Sequence, residues 1–304
     1  MDSVDRKLMD LLAINCRMSL QDLSEKTGIS ANEVKRRIDS LVESDIIHNF
    51  TTVFSPIMTD EDLSIAILEF NLVPNEKEVL EALSRNPSVW KVHRALDDKY
   101  VAFGVVYSDD ELARLGMTYR SLRGVGRVDI FTSFMRYWGG EIQLTGAHKK
   151  VLKCLATDAR MSVADIAKKT RLETSMVIQT IDHLRESEAV LFSINATDYL
   201  KDSRIEILAK VHWNVGKTNQ EQVSSWLQTT FPTIYLREFV SVVEPTLFFN
   251  FTVNHVREVD IVKKQVIEAG LISVFEPLIL FPATVLSDPR VRKTDEVLTE
   301  TGFS

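Results

Sequence analysis

Apolar residues recur at helical spacing over the first 45 positions and then give way to a strand-like run. Leu8, Leu11 and Leu12 share one face of a predicted helix from about Val4 to Ile14. A second stripe at the same spacing predicts a further helix, with buried positions at Val34, Ile38 and Leu41. The residues that follow, Ile46–Ile47 and Phe50 to Phe54, are β-branched or aromatic in a way typical of strands.

Start and stop signals divide this stretch into three helices. Ser19, three residues before Asp22, predicts the N-cap of a second helix, and Gly28 predicts its end. Ser30 and Glu33 have the spacing of a capping box at the start of the third helix. Three helices with a tight glycine turn and a β-rich wing form the plan of a winged helix-turn-helix (HTH).

The segment Lys7–Ile47 matches the chain again, without a gap, 143 positions later. Apolar positions are kept in type, and Arg17-Met18-Ser19 recurs as Arg160-Met161-Ser162. Further identities include Asp22 with Asp165, Val34 with Val177, and Leu41 with Leu184. A match of this length predicts a duplicated domain.

Each HTH segment is followed by the pattern strand, helix, strand, strand, helix, strand. The first set is predicted at Leu63–Asn71, Asn75–Arg85, Val89–Leu96, Tyr100–Tyr107, Asp109–Leu122 and Val125–Tyr137. The second set is predicted at Ile205–Trp213, Asn219–Phe231, Thr233–Val242, Thr246–Val253, Val256–Ala269 and Leu271–Phe281. This order is that of a ferredoxin-like domain.

The predicted fold class is therefore α+β, with two winged HTH domains alternating with two ferredoxin-like (βαββαβ) domains. We predict a winged HTH domain at 1–56, a ferredoxin-like domain at 61–138, a second, degenerate winged HTH domain at 144–198 and a second ferredoxin-like domain at 203–286. A polar tail over 287–304 is expected to be loosely held.

Composition narrows the class of protein. The chain is 45% hydrophobic and 26% charged, and its longest apolar stretch, near Leu271 to Leu286, is interrupted by Glu276 and two prolines, so no membrane span is predicted. The start of the chain lacks a basic-then-apolar leader, which predicts a cytoplasmic protein. A net charge of −7 argues against a protein that coats nucleic acid but allows one basic face. Cys16 and Cys154 are expected to be free thiols, with a redox pair as the alternative.

The segment Asp5–Phe50 resembles the DNA-binding domain of the Lrp/AsnC (feast/famine) regulators of prokaryotes. The matching residues are Asp5, Leu12, Arg17, Ser19, Leu23, Gly28, Ile29, Ser30, Val34, Arg37, Ile38, Leu41 and Ile47. Asp45 stands where that family usually has glycine, and aspartate tolerates the same left-handed turn. The resemblance implies a regulator of transcription that binds double-stranded DNA, and it covers nearly the whole chain twice.

In such a fold the third helix enters the major groove. Three consecutive cations lie on it between inward-facing Val34 and Ile38, so at least two must project outward to contact phosphate or read guanine. Ala31 and Asn32 are predicted base contacts, and Arg17, Ser19 and Lys26 are predicted to fasten the module to the DNA backbone. The predicted DNA-binding residues are thus Arg17, Ser19, Lys26, Ser30, Ala31, Asn32, Lys35, Arg36 and Arg37. The alternatives are a solvated helix face and, for Arg37, an internal pair with Asp5 or Asp39.

The second HTH segment has lost the cations of its third helix. Ile178, Gln179 and Thr180 stand at the positions of Lys35, Arg36 and Arg37, and Glu173 brings negative charge where phosphate would approach. A structural or protein-contact role is favoured for this segment, while weak contact with the DNA backbone through lysines such as Lys168 stays open. Met176 and Ile178 are either exposed residues that bind a partner or residues covered within the chain.

The resemblance also implies that two ferredoxin-like domains pack sheet on sheet and bind a small, amino-acid-like effector between subunits. A chain with two copies could build this pairing internally or pair each half with another chain. Neither turn between the second and third strands, Leu96–Tyr100 or Val243–Pro245, has the glycine expected there, so the effector is left unnamed. Only one HTH segment per chain keeps the cations of its third helix. Two chains are therefore expected to bind an operator of two-fold symmetry as a homodimer.

Two other functions are weighed against this one. Siroheme decarboxylases share the architecture and would need histidine and arginine in a pocket, for which His93-Arg94 is the suggestive pair. The phosphate-binding, metal-binding and nucleophile-elbow motifs are missing, so neither an enzyme nor a metal or cofactor is predicted. The third possibility is an adaptor that no longer binds DNA.

Overall fold

The computed structural model describes residues 2–134, 139–196, 204–287 and 289–299. Within these ranges the helices are α1 (Ser3–Ile14), α2 (Leu20–Thr27), α3 (Ala31–Glu43), α4 (Pro56–Thr59), α5 (Glu76–Ser84), α6 (Asp109–Arg120), α7 (Gly146–Thr157), α8 (Val163–Thr170), α9 (Thr174–Glu186), α10 (Gln220–Thr230), α11 (Arg257–Glu268) and α12 (Pro289–Thr299). The strands are β1 (Ile47–Phe54), β2 (Asp62–Phe70), β3 (Val89–Arg94), β4 (Lys99–Val106), β5 (Val125–Phe134), β6 (Val190–Ala196), β7 (Ile205–Trp213), β8 (Tyr235–Ser241), β9 (Thr246–Val253), β10 (Ile272–Leu280) and β11 (Thr284–Val285). The fold class is mixed α+β. The predicted ends at 138, 198 and 203, and the end of the strand predicted to reach Tyr137, lie outside the described residues.

The chain forms two compact units. The first comprises 1–60, 136–199 and 290–304, and therefore contains α1–α3 together with α7–α9. The second comprises 61–135 and 200–289, and contains both strand-rich segments. Each unit thus combines residues from both halves of the sequence.

The first three helices form for the reasons that their sequence suggests. The Ser19 hydroxyl accepts a hydrogen bond from the backbone N–H of Asp22, whose carboxylate accepts one from the N–H of Ser19, so this capping box is present. Ser30 caps α3 by accepting from the N–H of Glu33, but the reciprocal bond expected from Glu33 is not made, because its carboxylate binds arginines of α3 instead. Val34, Ile38 and Leu41 form the buried stripe of α3.

The turn between α2 and α3 has a left-handed residue at its first position. Gly28 has φ of +77°, and an added Cβ would meet nothing within 4 Å there. The equivalent residue in the second segment, Arg171, takes φ of +58° despite its side chain. Asp45 has φ of +56°, which confirms that aspartate keeps the left-handed turn where glycine is usual.

This matched pair gives a stability prediction. Gly28→Ala is expected to destabilise the protein by about 1 kcal/mol, since only the left-handed backbone opposes the new methyl group. Arg171→Gly is expected to stabilise it by about 0.5 kcal/mol, because the relief of strain is partly offset by the freedom of glycine in the unfolded chain. Urea-unfolding midpoints of both variants check this, and the same sign for both would contradict it.

The two HTH segments share one hydrophobic core in the first unit. Leu8, Leu12 and Val34 belong to the same buried cluster as Val151, Ile181 and Phe192. Strand β1 pairs antiparallel with β6, with Phe50 opposite Ile194 and Phe54 opposite Val190. Burial of one continuous apolar cluster couples the folding of the two segments.

The pairing of β1 corrects the prediction of a wing. A wing needs β1 to fold back within its own segment, yet in the part of the chain described here its partner strand is β6. The strand itself is confirmed at Ile47–Phe54. Its buried residues, such as Ile47 and Phe54, belong to the shared core. In a wing that points into solvent, these side chains would be exposed.

Polar contacts reinforce this pairing. The backbone N–H of Cys16 donates to the carbonyl oxygen of Phe192 at 2.7 Å, and that of Ala159 donates to Phe50 at 3.2 Å. The hydroxyl of Thr52, itself buried, donates to the carbonyl oxygen of Leu155 at 2.9 Å. Such bonds satisfy backbone groups that the joined core removes from water.

The second unit contains two β-α-β-β-α-β modules. Their strand orders are β5-β2-β4-β3 and β10-β7-β9-β8. Both modules therefore arrange their own strands in the same order, which is fourth, first, third and second. An antiparallel contact between β5 and β8 joins them, with Ser133 opposite Ser241. Strand β11 continues the sheet by pairing with β3.

The two modules also pack sheet face on sheet face. On β9, Phe249 and Phe251 face the cluster that contains residues of α10 and α11, while Phe248 faces the other way. The ring of Phe248 lies 5.0 Å from that of Phe131, and Phe103 lies 5.6 Å from Phe239. The pairing that the sequence left open is therefore made within one chain.

The C-terminal part differs from the expected loose tail. Residues Pro289–Thr299 form α12, and Leu298 is buried in the core of the first unit. Three aliphatic residues, Val291, Val297 and Leu298, stand among charged and polar ones there, and their spacing is too sparse to predict a helix.

Both cysteines are free thiols, as predicted. Burial raises the pKa of the Cys16 thiol to about 12, which keeps it protonated at neutral pH and unreactive toward oxidants. No helix in the described part of the chain is long and apolar enough to cross a membrane.

Candidate nucleic-acid interface

The outer face of α3 carries two exposed cations of the predicted contacts. The side chains of Lys35 and Arg36 are 64% and 67% exposed. Asn32 and Ser30 are also exposed, and Ala31 is half-buried in the first turn. Because Val34 and Ile38 turn inward, these residues share the surface on the solvent side of the helix.

Carboxylates of the same helix pair with these cations. The Nζ of Lys35 lies 2.6 Å from the Oδ2 of Asp39. The guanidinium of Arg36 donates to both oxygens of Glu33, at 2.8 and 2.6 Å. Sequence reasoning did not assign Glu33 and Asp39 this role, although their i,i+3 and i,i+4 spacing is a signal that could have found it.

Arg37 ties the start of α1 to α3. Its Nη1 lies 2.7 Å from carboxylate oxygens of both Asp2 and Asp5, and its Nε donates to Glu33. The internal pair with Asp5 that the sequence offered as an alternative is therefore present, whereas Asp39 pairs with Lys35 instead. Arg37 is less exposed than its two neighbours, which suits a residue that positions the helix.

These bonds shift the titration of the acids. Hydrogen bonds from Arg36 and then Arg37 lower the pKa of Glu33 to about 2. The backbone N–H of Asp5, together with Arg37, lowers the pKa of Asp2 to about 2. Since both folded-state pKa values lie below the unfolded ones, this stability is present above about pH 4.5 and is lost as the pH falls towards 2.

We expect Arg37→Ala to make the acid side of the stability profile less steep. The pKa values of Asp2 and Glu33 should rise but stay below 3.8 and 4.5, because the Asp5 N–H and Arg36 remain. Carboxyl-carbon NMR titration and melting temperatures between pH 2 and 6 measure this. Arg6→Ala on α1 is the control, and unchanged titration of both acids in Arg37→Ala would contradict the assignment.

The other predicted backbone contacts differ in their surroundings. Ser19 and Lys26 are exposed on α2 and at its N-cap. Arg17 is half-buried, and its Nη1 donates to the carbonyl oxygens of Ala159 and Met161 at 2.6 and 3.0 Å. The guanidinium thus bridges the two HTH segments.

The corresponding helix of the second segment, α9, has Ile178, Gln179 and Thr180 where α3 has three consecutive cations. Met176 and Ile178 are 45% and 46% exposed, so of the two alternatives they are exposed rather than covered. Glu173 occupies the N-cap without a side-chain hydrogen bond to the helix. Thr180, at the position of Arg37, is buried and donates to the carbonyl oxygen of Met176.

The candidate sensing turns of the second unit are short. Asp97 and Asp98 both have positive φ, at 59° and 54°, as expected of turn residues that need no glycine. In the other module Val243 is 83% exposed at the tip of the turn.

The candidate catalytic pair is divided between interior and surface. His93 is fully buried, and its Nδ1 lies 3.0 Å from the carbonyl oxygen of Phe281. Arg94 is exposed and lies over the ring of Phe281. The alternation expected of a strand accounts for this arrangement.

Known proteins resemble this chain in its sequence. A family model described as the AsnC-type helix-turn-helix domain matches residues 1–42. A protein of Pyrococcus horikoshii with the name HTH-type transcriptional regulator is 32% identical over 149 residues, and one of Pyrococcus abyssi is 31% identical over 148. Each alignment covers 44% of this chain and 93% of the relative.

A solved structure resembles the chain over nearly its whole length. The crystal structure of the siroheme decarboxylase NirDL aligns with a TM-score of 0.60, covering 98% of this chain and 99% of the other. The sequence identity is 14%, so this likeness concerns the fold.

Proposed function

This chain belongs to the AsnC family of helix-turn-helix transcriptional regulators, and from that premise we propose that it binds double-stranded DNA sequence-specifically, mainly through α3. The observation that carries the proposal is the exposed face of α3, the third helix of the first HTH segment, where Lys35 and Arg36 lie beside Asn32. Such a helix has the width and the donors to read the major groove.

The carboxylate partners on α3 do not prevent this. Exposed ion pairs contribute only about 0–1 kcal/mol, so a DNA phosphate or a guanine edge can take over either cation. Before binding, Lys35 is paired with Asp39 and Arg36 with Glu33 on the surface of the helix. They also reduce the attraction to any polyanion, which favours sites where base contacts add to phosphate contacts.

We assign the predicted contacts different tasks. Lys35 and Arg36 bind phosphate or guanine, Ala31 and Asn32 meet base edges, and Ser19, Lys26 and Ser30 hold the DNA backbone. Arg17 and Arg37, whose guanidiniums already have protein partners, position the reading helix.

We further propose that the architecture is a tandem duplication of an HTH segment and a ferredoxin-like domain. The internal sequence match, the shared core of the HTH segments and the equal strand orders of the two modules support it. In this arrangement the second HTH segment has an assembly role, and the exposed apolar Met176 and Ile178 on α9 support that role.

We also propose an effector, a cellular location and an oligomeric state. A small effector, amino-acid-like in the resembling family, would act at the ferredoxin-like domains, and the protein would work in the cytoplasm as a homodimer. The two ferredoxin-like modules already pair within one chain, so this pairing does not itself require a second chain. Sedimentation of the purified protein therefore decides between a monomer and a homodimer.

Siroheme decarboxylation is the alternative that the whole-chain fold likeness raises. The buried ring of His93, packed edge-on against Phe103 at 5.8 Å, disfavours it as a catalytic group. A tetrapyrrole absorption band in the purified protein would favour this alternative.

The direct test of the proposal is binding of the intact chain to promoter fragments of its own organism over a salt series. Binding should exceed that to random DNA and weaken steeply with salt. Equal affinity for promoter and random DNA would contradict sequence-specific recognition, and no binding to either would favour the adaptor.

A further inference from the structure

Two histidines connect the first and third helices of the second HTH segment. His148, in the first turn of α7, is buried, and its Nε2 lies 3.0 Å from the Nδ1 of His183 on α9. The two rings pack with their centroids 5.1 Å apart, and His183 is exposed to solvent. Histidine is the side chain whose charge ordinarily changes between pH 5 and 8, so protons can control this contact.

The backbone at the start of α7 determines which nitrogen of His148 carries its proton. Thr145 is the N-cap of that helix, and its backbone N–H donates to the Nδ1 of His148 at 3.0 Å as part of a capping box. A ring nitrogen that accepts a hydrogen bond carries no proton, so the proton of neutral His148 is on Nε2. His148 therefore donates to the Nδ1 of His183, which carries its own proton on Nε2.

Neither histidine can take up a second proton without losing a hydrogen bond. The added proton of His148 would be on Nδ1, where it faces the N–H of Thr145. The added proton of His183 would also be on Nδ1, where it faces the Nε2–H of His148. The start of a helix further disfavours a cation, because its unpaired backbone N–H groups carry partial positive charge.

Other titratable side chains lie on the elements around this pair. Helices α7 and α9 pack on each other and on α8, β1 and β6. The titratable residues on these elements, at the N-cap of α9, before α7 and on α12 are His48, Glu141, Lys149, Lys150, Lys153, Cys154, Asp165, Lys168, Lys169, Glu173, Asp182, Arg185, Glu186, Lys293 and Glu296. Burial and then the charge of His183 lower the pKa of His148, and within the described chain none of these other residues adds to that shift.

The internal repeat shows how the first segment makes the same connection. Asp2 and Asp5, 143 positions before Thr145 and His148, form the equivalent capping box at the start of α1. Arg37 of α3 then binds the Oδ1 of Asp5 at 2.7 Å. A guanidinium stays protonated, and a carboxylate is ordinarily ionised above about pH 4. Mild acid therefore leaves the connection of the first segment in place.

We propose that His148 and His183 form an acid-sensitive link, which holds the start of α7 on α9 at neutral pH and releases it when either imidazole is protonated. The folded-state pKa of His148 lies below its ordinary value of 6.5. The stability from the neutral form is therefore complete above about pH 6.5 and is lost as the pH falls below that value. This inference concerns the second HTH segment and does not depend on DNA binding.

Histidine NMR of the full chain tests the protonation states. At pH 7.5 we expect His148 to carry its proton on Nε2, and its pKa to lie below 6.5. His183→Gln keeps an acceptor for His148 but cannot be protonated. The pKa of His148 should then rise and stay below 6.5, because burial remains. His255→Gln, an exposed histidine of the second unit, is the control and should leave His148 unchanged.

Amide hydrogen exchange measures the release itself. After correction for the intrinsic effect of pH, the amides of Lys149 and Lys150 should exchange about tenfold faster or more at pH 5.5 than at pH 7.5. Arg6 and Lys7 occupy the matching positions of α1 and should show no such change. His148→Asn should abolish the difference, because its side-chain oxygen can accept from the N–H of Thr145 and does not titrate.

Three results would overturn the inference. They are a proton on the Nδ1 of His148 at pH 7.5, an equal response of the α7 and α1 amides to acid in the unaltered protein, and a full response in His148→Asn. The first two are measured on the unaltered chain, so they do not depend on whether a variant folds.

Discussion

Replacing Lys35 and Arg36 together by alanine is expected to lower affinity for promoter DNA about 10–100-fold at moderate salt. Each phosphate contact contributes about 0.9 to the slope of log affinity against log salt, so the slope should fall by about 1.8 if both cations contact phosphate. A smaller change in slope with the same loss of affinity would assign one of them to a guanine edge. Fluorescence anisotropy at four or more salt concentrations separates these cases.

Lys168→Ala/Lys169→Ala is the matched control for this experiment. These lysines are exposed on α8 of the second HTH segment. Both double variants remove two positive charges, so the change in net charge is identical. We expect little effect on affinity or slope. An equal loss in both double variants would mean that the total charge of the protein, rather than α3, governs binding.

Replacing Phe248 by alanine is expected to destabilise the protein by about 3–5 kcal/mol. Phe248 is fully buried between the packed sheet faces, and its ring meets that of Phe131 edge-on. The variant loses apolar contact area and leaves a cavity that the surrounding sheets cannot readily fill. Urea unfolding followed by circular dichroism measures the change.

Val243→Ala, at the exposed tip of the turn before β9, is the control and should change stability by less than about 0.5 kcal/mol. A loss below about 1 kcal/mol for Phe248→Ala would mean that the two sheet faces separate readily in solution. Sedimentation at low protein concentration would then show whether another chain occupies the exposed face.

Local signals in the sequence were sufficient to predict most helices and strands. The stripe Val34, Ile38 and Leu41, the capping box at Ser19 and the turn at Gly28 each depend on residues a few positions apart. Strands β7 and β9 begin and end where predicted, because polar or turn residues flank their apolar runs. Local pattern and local structure therefore agree in this chain.

The parts that could not be predicted depend on distant residues. Nothing near Ile47–Phe54 indicates that β1 pairs with β6, about 140 positions away, so a wing was the local interpretation. The carbonyl partners of Arg17 are equally distant, and so the sequence suggested a phosphate contact. In the candidate interface the exposed positions followed from helical periodicity, but the contact of Arg37 with Asp2 required the packed structure.

The antiparallel pairing of β1 with β6 has a consequence for the cell biology of this protein. Two HTH segments that are joined covalently and share a core cannot separate when the protein is scarce, so their pairing is independent of expression level. One half can also change without a matching change in the other, as the contrast between Lys35 and Ile178 illustrates. A regulator built this way can come to recognise an asymmetric operator while one gene encodes it. Two separate genes would instead produce a mixture of homo-oligomers and hetero-oligomers.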